Sequence, residues 1–207
     1  MDRRQTVTGF LVTIKDFLGF LSIALTLVGY VPYFHSIFKK RTKPHLFSWI
    51  IWGTVNAIAF AGQWSHGGGA GSWAAGFTAL LSFGVVGLST VWGEKNITKS
   101  DVVAFTGALA AIALWYFTND PLGAVCLATF IDILGCYPTI RKSYNKPHEE
   151  PLFSWVICSL RSVLSLFALG QYSLVTTIYP IAMIFTNGGL ALMLFWRRAI
   201  LKGTHNG

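Results

Sequence analysis

The stretch KKRTKPHLFSWIIWG, from Lys39 to Gly53, has a counterpart in YNKPHEEPLFSWVICS, from Tyr144 to Ser159. Each contains a basic segment with proline, then the tetrapeptide LFSW, then an apolar run. With a shift of 106 positions, the difference between Trp49 and Trp155, seven of the 21 positions from 29 to 49 are identical without a gap. The identities are LFSW and the pairs Gly29/Gly135, Pro32/Pro138 and Lys40/Lys146. This agreement indicates an internal duplication.

The composition fits a membrane protein rather than a water-soluble domain. Of the 207 residues, 53% are hydrophobic and 12% are charged, and the mean hydropathy is +0.55. The net charge of +8 comes from short basic clusters between apolar stretches, which argues against a nucleic-acid partner. The apolar run from Phe17 has the length of a full span and no small-residue cleavage site, so we expect no removable signal peptide.

Seven apolar segments are predicted to be transmembrane helices, since a hydrocarbon core about 30 Å thick needs roughly 20 residues per helix. They are Phe17–Phe38, Leu46–Trp64, Ser72–Trp92, Val102–Thr118, Pro121–Ile140, Leu152–Gly170 and Ser173–Trp196.

The positions of lysine and arginine predict the orientation of the chain in the membrane, because cytoplasmic loops near helix ends are enriched in these residues. Three of these basic residues lie on the side of the membrane where the N-terminus is, and twelve lie on the opposite side. This predicts an outside N-terminus and a cytoplasmic C-terminus in a plasma or inner membrane.

Each copy of the duplication contains three spans. After an odd number of spans the chain is on the opposite side of the membrane, so a second copy that followed directly would have the inverted orientation. The helix Val102–Thr118 restores the direction, so the repeats are expected to be parallel. The predicted fold class is an all-α integral membrane protein with seven transmembrane helices in a 3+1+3 plan. The predicted divisions are an extracytoplasmic segment 1–16, a first repeat 17–92, a linker helix 93–120, a second repeat 121–197 and a cytoplasmic tail 198–207.

The glycine and proline of the first helix in each repeat, the basic loop and the short Phe-Ser start of the next helix resemble the PQ-loop and SWEET superfamily. The resemblance implies a transporter in which Pro32 and Pro138 are hinges between outward-open and inward-open states. Proline suits that role because it removes an intrahelical hydrogen bond; a static kink is the alternative. The family's glutamine after the proline is replaced by Tyr33 and Thr139, so the resemblance identifies neither subfamily nor solute.

Two charged residues are predicted to lie near the bilayer midplane. Asp132 follows Pro121 by eleven residues and Arg161 follows Leu152 by nine, on helices that rise about 1.5 Å per residue. A charge at that depth costs at least about 2.5 to 3.5 kcal/mol, so such residues face a cavity or a partner and mark solute or proton pathways. We expect Asp132 and Arg161 to be partners at a solute site, with Asp132 coupling transport to protons. A purely structural ion pair is the alternative.

Two asparagines are further candidates for binding the solute. Asn56 is the polar contribution of the first repeat, and Asn187 lies at a position that resembles the solute-binding asparagine of SWEETs. Alignment of the third helices on Trp92 and Trp196 puts Phe83 opposite Asn187, which disfavours a symmetric sugar site.

The expected function is secondary transport of a small polar solute, either anionic or zwitterionic and amino-acid-like, or a sugar. Trp52 and Trp155 are candidates for aromatic walls of the solute pocket. Aromatic walls would favour a PnuC-like vitamin facilitator. The alternative role of these tryptophans is anchoring at the membrane interface. A receptor with the seven-helix plan of the KDEL receptors is the other alternative.

No Walker motif, activated nucleophile or metal-ligand spacing occurs, so we expect neither an enzyme nor a cofactor. The oligomeric state is open, a homo-oligomer included.

Overall fold

The computed structural model describes residues 3–40, 44, 46–93, 99–118, 120–145, 147 and 152–203. Within these ranges the regular structure is helical, with seven α-helices and no strand. The helices are α1 (Arg3–Phe38), α2 (Leu46–Ser65), α3 (Trp73–Trp92), α4 (Lys99–Thr118), α5 (Pro121–Asn145), α6 (Leu152–Phe167) and α7 (Leu174–Gly203). A short 3-10 turn, Gly69–Ser72, leads into α3.

Polar residues before α5 and α7 explain where these two helices begin. The Asp120 carboxylate accepts a hydrogen bond from the backbone N–H of Gly123 at 3.0 Å, which satisfies a group that the first helical turn leaves free. Ser173 and Thr176 act in the same way at α7. Thr176 N–H donates to Ser173 Oγ at 3.3 Å, and Ser173 N–H donates to Thr176 Oγ1 at 2.9 Å. Each helix start is therefore fixed locally by its own sequence.

The connection between α2 and α3 consists mainly of glycines because the chain turns tightly there. Gly67 and Gly69 have φ angles of 74° and 54°, in the left-handed region that favours glycine. At Gly68, a Cβ atom would lie 2.6 Å from the carbonyl oxygen of Gln63, so a side chain does not fit. The turn therefore holds the end of α2 close to the start of α3.

The helices pack with recurring pairings. In a first trio, α1 to α3, both α1 and α2 pack on α3; in a second trio, α5 to α7, both α5 and α6 pack on α7. Between the trios, α1 packs on α6 and α2 packs on α5. The helix α4 packs on α2 and α5. The centre of the molecule is therefore the contact surface between the two trios.

Apolar side chains cover much of the outer surface. Large hydrophobic residues such as Phe20, Leu80, Phe185 and Leu192 are exposed. Three segments of the described chain are long and apolar enough to cross a membrane, namely Ile14–His35, Gly69–Trp92 and Leu174–Leu201. Two shorter apolar segments are Pro121–Cys136 and Leu152–Phe167. This surface suits a lipid environment, in which apolar side chains face outward.

The predicted segments agree with the helices of the structure to within a few residues at most ends. The first helix differs, because α1 begins at Arg3 and is already helical through residues 3–16, before the predicted start of the span at Phe17. The last helix continues to Gly203, beyond the predicted end at Trp196. Both extensions contain charged residues. A prediction from apolar length leaves such residues out of the span, although the helix continues through them. The crossing of the bilayer by all seven helices stays a prediction.

Candidate functional site

Among the side chains that the structure describes, buried polar groups of six helices lie in the interior. They include Ser22 and Thr26 of α1, Asn56 and Gln63 of α2, Thr78 and Ser82 of α3, Thr129 and Asp132 of α5, Arg161 and Ser162 of α6, and Asn187 of α7. Several bond to a carbonyl one turn earlier, as Thr26 does to Ser22 and Thr129 does to Val125. Because a buried polar group without a partner is costly, the groups that lack one are the candidates for binding a ligand.

Arg161 on α6 connects the two trios. Its guanidinium Nη1 donates a hydrogen bond to the hydroxyl of Thr78 on α3. The side chain is 8% exposed, and its Nε is buried without a hydrogen-bond partner. A buried charged donor without an acceptor is destabilising, so this nitrogen lacks the partner that its charge requires.

Asp132 on α5 is 7% exposed and carries a charge opposite to that of Arg161. The two charges attract each other through the interior, but the described residues include no ion pair between them. No described residue donates a hydrogen bond to the Asp132 carboxylate. The expectation of a direct pair therefore differs from the structure, because the guanidinium reaches across to Thr78 instead.

Two tyrosines bind polar groups of the interior. The Tyr179 hydroxyl on α7 donates to Asn56 Oδ1 on α2 at 3.1 Å, which is a second polar link between the trios. Asn56 Nδ2 in turn donates to the Trp52 carbonyl at 2.9 Å, so both ends of this amide are fixed. Within the first trio, the Tyr30 hydroxyl and Ser82 Oγ share a hydrogen bond of 2.9 Å.

A small cavity lies between the trios beside Arg161. Its volume is about 10 Å³, which is room for a single water molecule. It is lined by residues of α2, α3, α6 and α7, among them Gln63, Ala75, Arg161, Ser162, Tyr179 and Met183. Gln63 is 1% exposed, and its Oε1 has no hydrogen-bond partner. Gln63 and Arg161, each of which has one buried polar atom without a partner, are therefore both among the residues that line this space.

Loop contacts close the helix ends nearest this cavity. The backbone N–H of Gly170 donates to the Gly68 carbonyl at 2.9 Å, which joins the α6–α7 connection to the turn after α2. Ser165 Oγ donates to the Gly71 carbonyl in the same region. Lys15 Nζ on α1 donates to the Gly170 carbonyl at 3.2 Å. The distribution of basic residues predicts that this end faces outside, so these hydrogen bonds join the two trios at the predicted outer end.

The two LFSW tryptophans lie in the first turns of α2 and α6 and differ in their partners. Trp49 is buried, donates from Nε1 to the Tyr33 hydroxyl at 3.2 Å, and meets Trp52 edge to face with ring centroids 5.2 Å apart. Trp155 is partly buried, and its Nε1 has no hydrogen-bond partner. The counterpart of Tyr33 is Thr139, whose side chain lies outside the described residues. Neither Trp52 nor Trp155 lines the cavity.

The other predicted site residues also lie outside the cavity lining. Asn187 is buried on α7, and its Nδ2 donates to the carbonyl of Met183, which lines the cavity one turn earlier. Pro32 is inside α1, which continues past it as one helix. Position 138 falls within α5, but the side chain of Pro138 lies outside the described residues. Of the predicted solute-binding residues, Arg161 is the one that lines the cavity.

Three residues of this region were not predicted from the sequence. Thr78 accepts the hydrogen bond of Arg161, while Gln63 and Tyr179 line the cavity. The available signal for Thr78 was its spacing from Ser82, since residues four positions apart share a helix face. Gln63 lies next to the end of its helix, where a polar residue is ordinary, so its sequence position does not distinguish it.

Comparison of the chain with models of protein families, with curated proteins and with solved structures gives no match. Within the described ranges, no group of three or more His, Cys, Asp or Glu side chains is placed to hold a metal ion. Function is therefore inferred from the geometry of the interior.

Proposed function

We propose that this chain is a secondary transporter that moves a small polar solute across a membrane by alternating access. Its helices form seven spans in a 3+1+3 arrangement that resembles the PQ-loop and SWEET superfamily. The N-terminus faces outside, the C-terminus faces the cytoplasm, and protons are a coupled ion through Asp132. The partners are the bilayer and the solute.

Packing between helices supports the parallel repeats. The pairing of α1 and α2 with α3 recurs as the pairing of α5 and α6 with α7, and the two contacts between the trios are also equivalent. The same helices contain the sequence duplication, since LFSW begins both α2 and α6. Parallel repeats separated by a single helix are an arrangement that transporters use, with the solute site between the repeats.

The observation that carries the proposal is the pair of buried, separated charges at the contact surface between the trios. Arg161 retains an unpaired Nε, and Asp132 accepts no hydrogen bond from the described residues. A charge at membrane depth persists where it faces a cavity or a partner and serves a solute or ion pathway. The polar partners Thr78 and Asn56 belong to the first trio, so movement of one trio against the other would remodel the site.

The small size of the cavity supports alternating access. A space of about 10 Å³ accepts one water molecule and no larger solute, so a solute reaches Arg161 only after the trios separate. At the predicted outer end, the hydrogen bonds of Gly170 to Gly68 and of Ser165 to Gly71 join connections that would have to part. These are single hydrogen bonds, each of about 1 kcal/mol net, and such contacts can exchange during a transport cycle.

Uptake by purified protein in proteoliposomes tests the proposal. We expect uptake of at least one labelled solute from a panel of amino acids, organic acids, sugars and vitamins, without added ATP. The Arg161→Gln variant should lose most of this uptake, whereas Arg197→Gln, at the far cytoplasmic end of α7, should retain it. Binding of a solute without uptake by the wild type would contradict transport and favour a receptor.

A further inference from the structure

We infer that the glycine turn after α2 and the connection between α6 and α7 form a latch, which holds the two trios together at the predicted outer end and parts before they separate there. The turn consists of residues 66–72 and the connection of residues 168–173. The inference rests on the proposed function, because separation of the trios is the movement that alternating access requires. It is carried by main-chain contacts that leave no room for a side chain.

The first of these contacts is between Gly170 and the turn. The N–H of Gly170 donates to the Gly68 carbonyl at 2.9 Å. A Cβ atom on Gly170 would lie 2.5 Å from the carbonyl oxygen of Gly67, a distance that real Cβ atoms essentially never show. The obstacle is main chain and not the end of a flexible side chain, so a larger residue at position 170 would push the connection away from the turn.

The second contact is between Gly71 and the end of α6. Gly71 is buried, and its carbonyl accepts a hydrogen bond from Ser165 Oγ. A Cβ atom on Gly71 would lie 2.6 Å from the carbonyl oxygen of Ser165 and 2.7 Å from Cα of Leu169. Ser165 and Leu169 are themselves buried. The trios therefore meet through main-chain atoms at two places, and glycine is required at both.

Each half of the latch is fixed to its own trio by hydrogen bonds. In the turn, the Gly68 N–H donates to the Gln63 carbonyl of α2 at 2.7 Å. In the connection, Thr176 Oγ1 of α7 donates to the Gln171 carbonyl at 2.9 Å. Each half should therefore move with its trio, so that separation breaks the contacts between the halves and leaves each half intact.

Lys15 of α1 adds a side-chain contact from the first trio. Its Nζ donates to the Gly170 carbonyl at 3.2 Å and lies 5.9 Å from the centroid of the Tyr172 ring, within the range of a cation–π interaction. The Tyr172 hydroxyl donates to the Leu166 carbonyl of α6 at 3.0 Å, which holds the ring on the second trio. Both polar main-chain groups of Gly170 are therefore bound by the first trio.

Distances between two spin labels on the purified full-length protein in lipid nanodiscs test the inference. One label is attached at Ser65→Cys, at the end of α2, and the other at Leu174→Cys, at the start of α7, after replacement of the native cysteines. Both positions are exposed. We expect a predominant short distance with the latch intact.

Gly170→Ala should raise the ratio of the long-distance to the short-distance population by roughly tenfold or more, because the added Cβ atom clashes with the turn. The matched control is Gly189→Ala, since a Cβ atom there meets nothing within 4 Å, and it should keep the parent distribution. Equal distributions in Gly170→Ala and its parent would overturn the inference.

Lys15→Met tests the side-chain contact without a change in the main chain. It keeps the apolar part of the side chain but loses the ammonium, so the same ratio should rise by about fivefold. Lys39→Met, at the other end of α1, is the matched control and should keep the parent distribution. A shift in Gly170→Ala alone would retain the main-chain latch and remove Lys15 from it. If Gly170→Ala does not fold, equal distributions in Lys15→Met and Lys39→Met would overturn the inference.

The outcome of this test is distinguishable from that of the transport assay. Longer distances in Gly170→Ala, without uptake of any solute by the wild type, would retain the latch and contradict transport. Uptake by the wild type, with distances unchanged in Gly170→Ala, would retain transport and contradict the latch.

Discussion

Arg161 on α6 donates its Nη1 hydrogen bond to Thr78 on α3, and it forms no ion pair with Asp132 on α5. The arginine therefore holds the two trios together while its opposite edge stays free of described protein partners. The aspartate is likewise left without a hydrogen bond from the described chain. The two charges are therefore separated in this structure, and neither satisfies the other directly.

Because the Thr78 hydroxyl accepts the hydrogen bond of Arg161, removal of this hydroxyl should lower the stability of the protein. Thr78→Val keeps the shape but leaves Nη1 of Arg161 unpaired, which should lower the free energy of unfolding by about 1 to 3 kcal/mol. Thermal melting of the purified variant measures this effect. The matched control is Thr106→Val, because Thr106 is exposed and bonds only to a carbonyl of its own helix. Equal melting temperatures for both variants would show that the link between the trios contributes nothing.

Labelling of single cysteines tests the predicted direction of the chain. A cysteine at Lys43 or Lys146, both outside the described residues, should react with an impermeant reagent only from the cytoplasmic side. A cysteine at His66, in the turn after α2, should react only from outside. The native cysteines Cys126, Cys136 and Cys158 would first be replaced by alanine. The reverse labelling pattern would show that the count of basic residues predicts the wrong orientation.

If Asp132 carries the coupled proton, solute transport should depend on the pH gradient across the membrane. With acid outside, the wild type should accumulate solute by up to about tenfold per unit of pH gradient if one proton accompanies each solute. Asp132→Asn cannot take up or release that proton, so it should still exchange solute down its gradient but no longer concentrate it. Asp16→Asn, in the outer part of α1, is the matched control and should accumulate normally. Accumulation by Asp132→Asn would rule out this residue as the coupling group.

Helix positions could be predicted well from the sequence, because apolar length is a strong signal and residues such as Asp120 and Ser173 mark helix starts. Arg161 and Asp132 were also predictable, since charges within apolar runs are conspicuous. Gln63 and Tyr179 were not, because their role depends on which helices meet across the trios. Trp49 illustrates the same limit. An interfacial anchor and a buried packing residue look alike in sequence, and only the contact with Tyr33 distinguishes them.

The hinge prediction concerns Pro32, which lies inside α1. Replacing it with alanine restores an N–H and stiffens the helix. If Pro32 is a pivot, Pro32→Ala should leave solute binding nearly unchanged while it slows transport, because the change between open states is slowed. Stopped-flow uptake and equilibrium binding separate these two effects. Unchanged transport would leave the proline as a static kink.

Access to Ser162 from the two sides of the membrane tests alternating access most directly. Ser162 is buried, lines the cavity and adjoins Arg161, so a cysteine there reports on the central site. In a background without the native cysteines, an impermeant reagent should label Ser162→Cys from outside in right-side-out vesicles and from the cytoplasmic side in inverted ones. Bound solute should slow both reactions. Labelling from one side only, under every solute condition, would contradict alternating access.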